Sequence, residues 1–435
     1  MSEIIYQNFE QYLIYLRELL KFRTVFTEPE NVREGIDYCK KVFEENLENY
    51  KIYFDAENNL IAVPSEVNFE ENIIYLSAHI DTVGADENEW DSPFKPFKIF
   101  ENAKEIVGRG ACDCKAGVAF ELFWSFLAKK KFINLKNTIF TITFKEEGAG
   151  KKSAVEIAKN LGVALPLSKK SNYLIVLENN VKVLEKPILS VYTAERSNYV
   201  VKITDFLSNL QKILKKLDHF NPVSIKPEEN FDILKSEIFK QQGGHVCSVA
   251  REENLLTKII LNSQENDLIQ AGEERNFAAI PSQIYKLKGG KALKHSLVLS
   301  NRSFDSLKDV RGQLKDLEYQ ELKDFIASQG FNIEEKFVKN KISDILKQVE
   351  SEFKDLKIEY TYNIGGSDAT TIYCSLSKNL QKNIYPIVIG PGSRSQRKTI
   401  PARLTHGKNE TFDKESGKRA VLFIGEVLSN IELSI

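Results

Sequence analysis

No apolar run in the 435 residues approaches the roughly 18–20 that a membrane-crossing helix needs, which excludes a spanning segment of that kind. The N-terminus, MSEIIYQNFEQ, has neither a basic stretch nor an apolar one behind it, so it does not read as a secretory leader. Cysteine is scarce: Cys39, Cys112, Cys114, Cys247 and Cys374. An odd and scattered set of five fits reduced thiols in a cytoplasm better than a disulfide framework. Only one residue separates Cys112 from Cys114, which disfavours a mutual disulfide, and no second pair completes a CxC metal site. Excess charge is lacking too. Lys+Arg and Asp+Glu stand at 60 against 61, so nothing calls for nucleic acid or an anionic membrane as partner. There is no internal repeat and no low-complexity tract.

What is present is an apolar share of 42%, ample for a core, on a chain long enough for more than one domain. Phe9, Leu13, Leu16 and Leu20 recur at helical spacing, and a second helix is expected after Pro29. Short apolar runs bounded by polar residues (Lys51–Phe54, Leu60–Val63, Ile73–Ser77, Thr138–Phe144, Tyr173–Leu177) predict buried strands. Lys115–Lys129 reads as a buried helix and Ala420–Ile431 as a terminal one. Alternating strands and helices predict an α/β domain with a mostly parallel sheet covered on both faces. From residue 189 the texture changes to strand-like runs (Tyr199–Ile203, Ser296–Leu299) and lysine-rich helices (Leu207–Leu217, Phe231–Gln241), as in a separate α+β insertion. The predicted division is 1–188, 189–335 and 336–435, the first and last forming one domain around the insertion.

Five segments carry candidate chemistry. His79-Ile80-Asp81 follows the run IIYLSA, so His79 can face a metal while Asp81 accepts a hydrogen bond from its other ring nitrogen. GRGACDCK opens a helix and offers Asp113. Glu146 and Glu147 are adjacent after a strand; in a dry pocket both stay ionised only with a cation beside them, which suits one ligand and one general base. Glu178 ends the strand YLIVL, and His406 opens HGKNE. Each alone is an ordinary feature: an exposed strand end, a turn, a satisfied histidine. Together they are nitrogen and carboxylate donors of the kind zinc takes.

In order along nearly the whole chain, SAHIDTV, WDSPFKP, GRGACDCKAG, EEGAG, GGSDA and HGKNE resemble the motifs of the zinc exopeptidase and deacylase family of glutamate carboxypeptidase, acetylornithine deacetylase and succinyl-diaminopimelate desuccinylase. The resemblance implies a catalytic α/β domain, its mixed sheet lying between helices, with an inserted α+β lid or dimerisation domain. It implies two Zn2+, replaceable by Co2+ or Mn2+, one held by His79, Asp113 and Glu178 and the other by Asp113, Glu147 and His406. Glu146 would be the general base and acid and Asp81 the support of His79. Gly366 and Ser367 would line the substrate site, Arg302 would pair with a substrate carboxylate, and His245 would be a lid histidine stabilising the oxyanion across a homodimer. His245 departs from the family's spacing, because two lysine-rich helices separate it from the lid's opening, and His219 and His295 are rivals for the role. The implied reaction is hydrolysis of an amide in an N-acyl amino acid or short peptide with a free carboxylate, since Glu178 is the residue that goes with deacylases and carboxypeptidases. An aminopeptidase or dipeptidase on the same metal site, or an inactive binding relative, are the alternatives.

Overall fold

The computed structural model describes residues 1–148, 152–195, 197–206, 221–227, 294–303, 321–328, 331–333, 339–363, 367–395 and 406–433, with isolated positions at 212, 213, 215, 216 and 336. Contacts divide the chain into two units, Met1–Glu195 with Phe331–Ile435, and Arg196–Gly330.

In the first unit the helices are α1 (Ser2–Leu20), α2 (Pro29–Asn46), α3 (Lys115–Lys129), α4 (Lys152–Asn160), α5 (Lys341–Glu352), α6 (Asp368–Ser375), α7 (Lys378–Gln381) and α8 (Lys414–Leu433). Its strands before the second unit are β1 (Tyr50–Phe54), β2 (Leu60–Pro64), β3 (Ile73–His79), β4 (Phe100–Glu101), β5 (Glu105–Val107), β6 (Thr138–Thr143), β7 (Asn172–Val176), β8 (Val181–Val183) and β9 (Ile188–Glu195). The second unit contributes β10 (Ser197–Phe206), β11 (Asn221–Pro227), β12 (Lys294–Ser303) and β13 (Glu321–Ser328). The first unit then resumes with β14 (Phe331–Asn332), β15 (Lys357–Asn363), β16 (Ile384–Val388), β17 (Ser393–Ser395) and β18 (Thr411–Asp413).

The main sheet runs β1-β2-β6-β3-β7-β16-β9-β8-β17, with β14 and β15 both pairing β9. Its centre is parallel: β6, β3, β7 and β16 all run the same way. That is why β3, β6 and β7 read as unbroken apolar runs, since every residue of each is buried. The flanks are not parallel. β1, β2 and β6 pair antiparallel, as do β8, β9 and β16. The expectation of a mostly parallel sheet therefore holds at the centre, and the whole is mixed.

The insertion starts later and ends earlier than composition suggested. β9 lies beyond the predicted boundary at 189, yet it pairs with β8, β15 and β16 of the first unit. Likewise β14, at 331–332, pairs β9. Strand pairing, which texture does not report, places both in the first unit. The second unit carries a four-stranded antiparallel sheet, β11-β12-β10-β13, with β10 and β12 paired over ten positions. Of the predicted lysine-rich helices, Phe231–Gln241 lies outside the described residues, as does most of Leu207–Leu217.

α3 is apolar on nearly every side because it is buried on nearly every side: twelve of its residues are buried, Phe120, Phe123 and Trp124 fully. A Cβ at Gly117 would stand 2.4 Å from the Leu177 carbonyl oxygen, so glycine is what lets this helix approach the end of β7. That approach brings the loop ahead of α3 against the carboxyl ends of the central strands. The terminal helix begins at Lys414, earlier than predicted, where the Asp413 carboxylate accepts from the Ser416 amide.

Candidate metal centre

Three neighbouring parallel strands, β6, β3 and β7, end at the same edge of the sheet. His79 is the last residue of β3, Glu146 and Glu147 follow β6, and Glu178 follows β7. Open α/β sheets build sites at such carboxyl ends. Asp113 reaches the same place from the loop ahead of α3, and His406 from the segment ahead of β18.

The Asp113 carboxylate divides between the two histidines. Its Oδ1 lies 3.0 Å from His79 Nε2 and its Oδ2 lies 3.4 Å from His406 Nε2. Glu147 Oε1 stands 2.9 Å from His406 Nε2, and Glu178 Oε2 stands 3.9 Å from His79 Nε2. His79, Asp113 and Glu147 offer donor atoms all within 4.8 Å of one another. His79, Cys114 and Glu178 do the same. The Cys114 thiol, for which the sequence offered no completed CxC metal site, is thus a further candidate donor beside the first imidazole, and it hydrogen-bonds the Leu177 carbonyl.

The role of Asp81 differs in part from expectation. His79 Nδ1 sits 2.9 Å from the Asp81 carbonyl oxygen but 3.5 Å from its carboxylate. A carbonyl can only accept, so in the neutral ring the proton is on Nδ1 and the Nε2 lone pair faces Asp113 and Glu178. The carboxylate is used elsewhere: its two oxygens accept from the backbone amides of Glu146 and Glu147, each at 2.9 Å. The fully buried Asp81 therefore fixes both the histidine and the paired glutamates, one through its main chain and one through its side chain.

Charge in the pocket calls for cations. Burial would strip protons from the imidazoles, but carboxylate neighbours reverse it. His406 is pushed up to about 11 by Asp113 and Glu147. His79 is raised well above its usual value by Cys114, Asp113, Asp81 and Glu178. Burial pushes the Glu147 and Glu178 carboxyls up, although His406 and His79 oppose it. Burial would raise Asp113 too, but hydrogen bonding from both histidines holds it well below the carboxylate range. Three buried acids around two imidazoles, with Glu147 Oε1 buried and lacking a properly directed hydrogen bond, fit a pair of divalent cations. The donors are imidazole nitrogen and carboxylate oxygen, a set that zinc takes.

Beneath the ligands lies a buried ion pair that sequence reasoning passed over. Arg109 Nη1 donates to Glu410 Oε2 at 2.7 Å, with the side chains 3% and 1% exposed. Glu410 was visible only as the last letter of HGKNE. Truncating one partner of such a pair costs about 3–5 kcal/mol.

Of the other expected site residues, Ser367 is buried and caps α6: its hydroxyl accepts from the Ala369 amide and donates to Glu195 at 3.0 Å. Arg302 lies on β12 opposite Asn198 in the second unit. Gly366 and His245 lie outside the described residues.

A model of the peptidase family M20/M25/M40 matches residues 75–430. The chain belongs to this family. Membership makes it a hydrolytic enzyme. A succinyl-diaminopimelate desuccinylase of Rickettsia felis is 33% identical over 151 residues, 34% of this chain and 39% of that protein, so the match spans well under half the relative's length. An M20 family metallo-carboxypeptidase from Sulfolobus solfataricus shares the fold with a TM-score of 0.63, at 17% identity over 97% of this chain and 99% of that one. A dinuclear metal binding peptidase of the M20 family from Bacillus subtilis does so with a TM-score of 0.54, at 13% identity over 98% and 99%. At these identities the structural likeness is one of fold.

Proposed function

We propose that this M20 chain is a dizinc amidohydrolase of the deacylase or carboxypeptidase type, cleaving the amide of an N-acyl amino acid or short peptide that keeps a free carboxylate. The observation that carries it is the division of the Asp113 carboxylate, 3.0 Å from one imidazole and 3.4 Å from the other, with a glutamate beside each. In this reading His79, Asp113 and Glu178 hold one ion, and Asp113, Glu147 and His406 the other. When bound, the ions would lower the pKa of a bound water and polarise the substrate carbonyl.

The chain's own groups do the rest. Glu146 takes a proton from the attacking water and gives it to the leaving amine nitrogen. Asp81 holds the Glu146 amide, so the base is positioned from its main chain. In this reading Arg302 is the candidate partner of the substrate carboxylate, and Gly366 and Ser367 are candidate substrate-binding residues. The second unit is the candidate lid and dimerisation domain, and His245 the candidate for the oxyanion. Cobalt or manganese would support the same chemistry.

The test is hydrolysis by the zinc-loaded protein of N-acetyl and N-succinyl amino acids beside unblocked dipeptides, with Glu146→Ala as control. Acid released from the blocked substrates alone supports the reading. Cleavage of the unblocked dipeptides alone replaces it with a dipeptidase.

A further inference from the structure

Two loops carry Asp113 and His406, and one buried carboxylate joins them. Glu410 Oε1 accepts from the backbone amides of Cys112 and Asp113, each at 3.0 Å, and from the Cys112 thiol. Its Oε2 accepts from the Gly110 amide at 3.0 Å and from Arg109 Nη1 at 2.7 Å. The same arginine turns its other nitrogen back: Nη2 donates to the carbonyls of His406 at 3.3 Å and Gly407 at 3.1 Å. The Gly108 amide closes the circle on the Glu410 carbonyl.

The His406 loop is backbone-strained: His406 at φ 68 and Asn409 at φ 56 are left-handed without being glycine, whereas Gly110 at φ 85 in the other loop suits glycine. Such positions persist only where their surroundings over-determine them. Asp91 holds Lys408 and Asn409 of the His406 segment, while the Arg109 bonds grip the carbonyls of His406 and Gly407 themselves. The group that grips the Asp113 segment is the Glu410 carboxylate. Neither side chain is given a donor role toward a metal here, and neither is needed merely to fill space.

We infer that Glu410 and Arg109 form a positioning clamp that sets Asp113 against His406, and so selectively builds the cation position shared by Asp113, Glu147 and His406. The position at His79 and Glu178 has two ligands carried by β3 and β7 and shares only Asp113 with the clamp, so it depends on the clamp less. This rests on the two-metal reading above.

The test is calorimetric and visible-absorbance titration of the metal-stripped full chain with Co2+, in wild type, Glu410→Asp and Arg109→Lys. Both variants keep the ion pair's charges. Glu410→Asp withdraws the carboxylate by one methylene from the three amides. Arg109→Lys removes the second nitrogen that reaches His406 and Gly407. The expected result is two cobalt equivalents in wild type. In each variant one equivalent binds at least tenfold more weakly, with its absorbance band lost or shifted, and the other is weakened clearly less. Melting temperatures measured without metal separate this from plain destabilisation. Two equivalents within twofold of wild type with unchanged spectra would overturn the clamp, as would equal weakening of both. If Glu410→Asp does not fold, Arg109→Lys alone decides between these outcomes. Wild type that binds no cobalt would instead remove the two-metal reading, and the clamp's purpose with it.

Discussion

In the proposed centre Asp113 takes part in both halves, whereas every other proposed ligand serves one. His406→Ala should therefore leave a chain that binds a single ion through His79 and Glu178, measurable as one metal equivalent after desalting; two equivalents would remove His406 from the ligand set. Glu146 is a different case, since its part is to move a proton. Glu146→Gln should lower kcat about 10²–10⁴-fold with metal content unchanged. A variant with normal kcat would need another base. Residue identity made the donors legible, because His79, Asp113, Glu147, Glu178 and His406 are of types that ligate and sit beside strand ends or loops. What residue type could not reveal is division of labour within one residue. Asp81 meets His79 with its carbonyl and the glutamates with its carboxylate, a split that depends on the turn after β3. Glu410 was hidden for a similar reason: its partners are backbone amides, which leave no trace in a sequence.

Among the elements, α3 holds an acid that the chemistry does not use. Both carboxyl oxygens of Glu121 are buried without a hydrogen-bond partner, and burial pushes its carboxyl well up. Glu121→Leu should stabilise the protein by about 1–3 kcal/mol, read as a higher midpoint in thermal or urea unfolding. A lower midpoint would mean that Glu121 has a partner, such as a water, that matters. At the end of α8, burial pushes Glu432 up to about 7 against a bond from Thr138 at 2.7 Å. Between its ordinary value and about 7 the folded chain holds this proton and the unfolded chain does not. Stability from this group is therefore lost as pH rises through that window, by at most about 3 kcal/mol. Glu432→Gln should flatten the fall between pH 5 and pH 8 in urea unfolding; an unchanged slope would contradict the assignment. The long helices and the buried central strands were legible because their apolar spacing is continuous. β9 and β14 were not assigned to the right unit because membership is decided by pairing partners more than a hundred residues away.

For the molecule as a whole, the family match over residues 75–430 and the donor cluster lead to one account: a sheet whose central strands end in ligands, and two loops that bring the remaining pair. Among the described residues no helix is long and apolar enough to cross a membrane. In the proposed account metal binds the folded chain and finds no preformed site in the unfolded one, so chelation should lower the melting temperature, and zinc added back should restore it. A melting temperature that ignores both would mean that the buried acids are satisfied without cations. Fold class and candidate donors were legible; substrate was not, because likeness of fold does not choose among substrates and spacing carries no geometry. The most direct measurement is elemental analysis of zinc-loaded, desalted protein, wild type beside Asp113→Ala. The account predicts two zinc equivalents per chain in wild type and at most one in the variant. One equivalent in wild type, or two retained without Asp113, would contradict it.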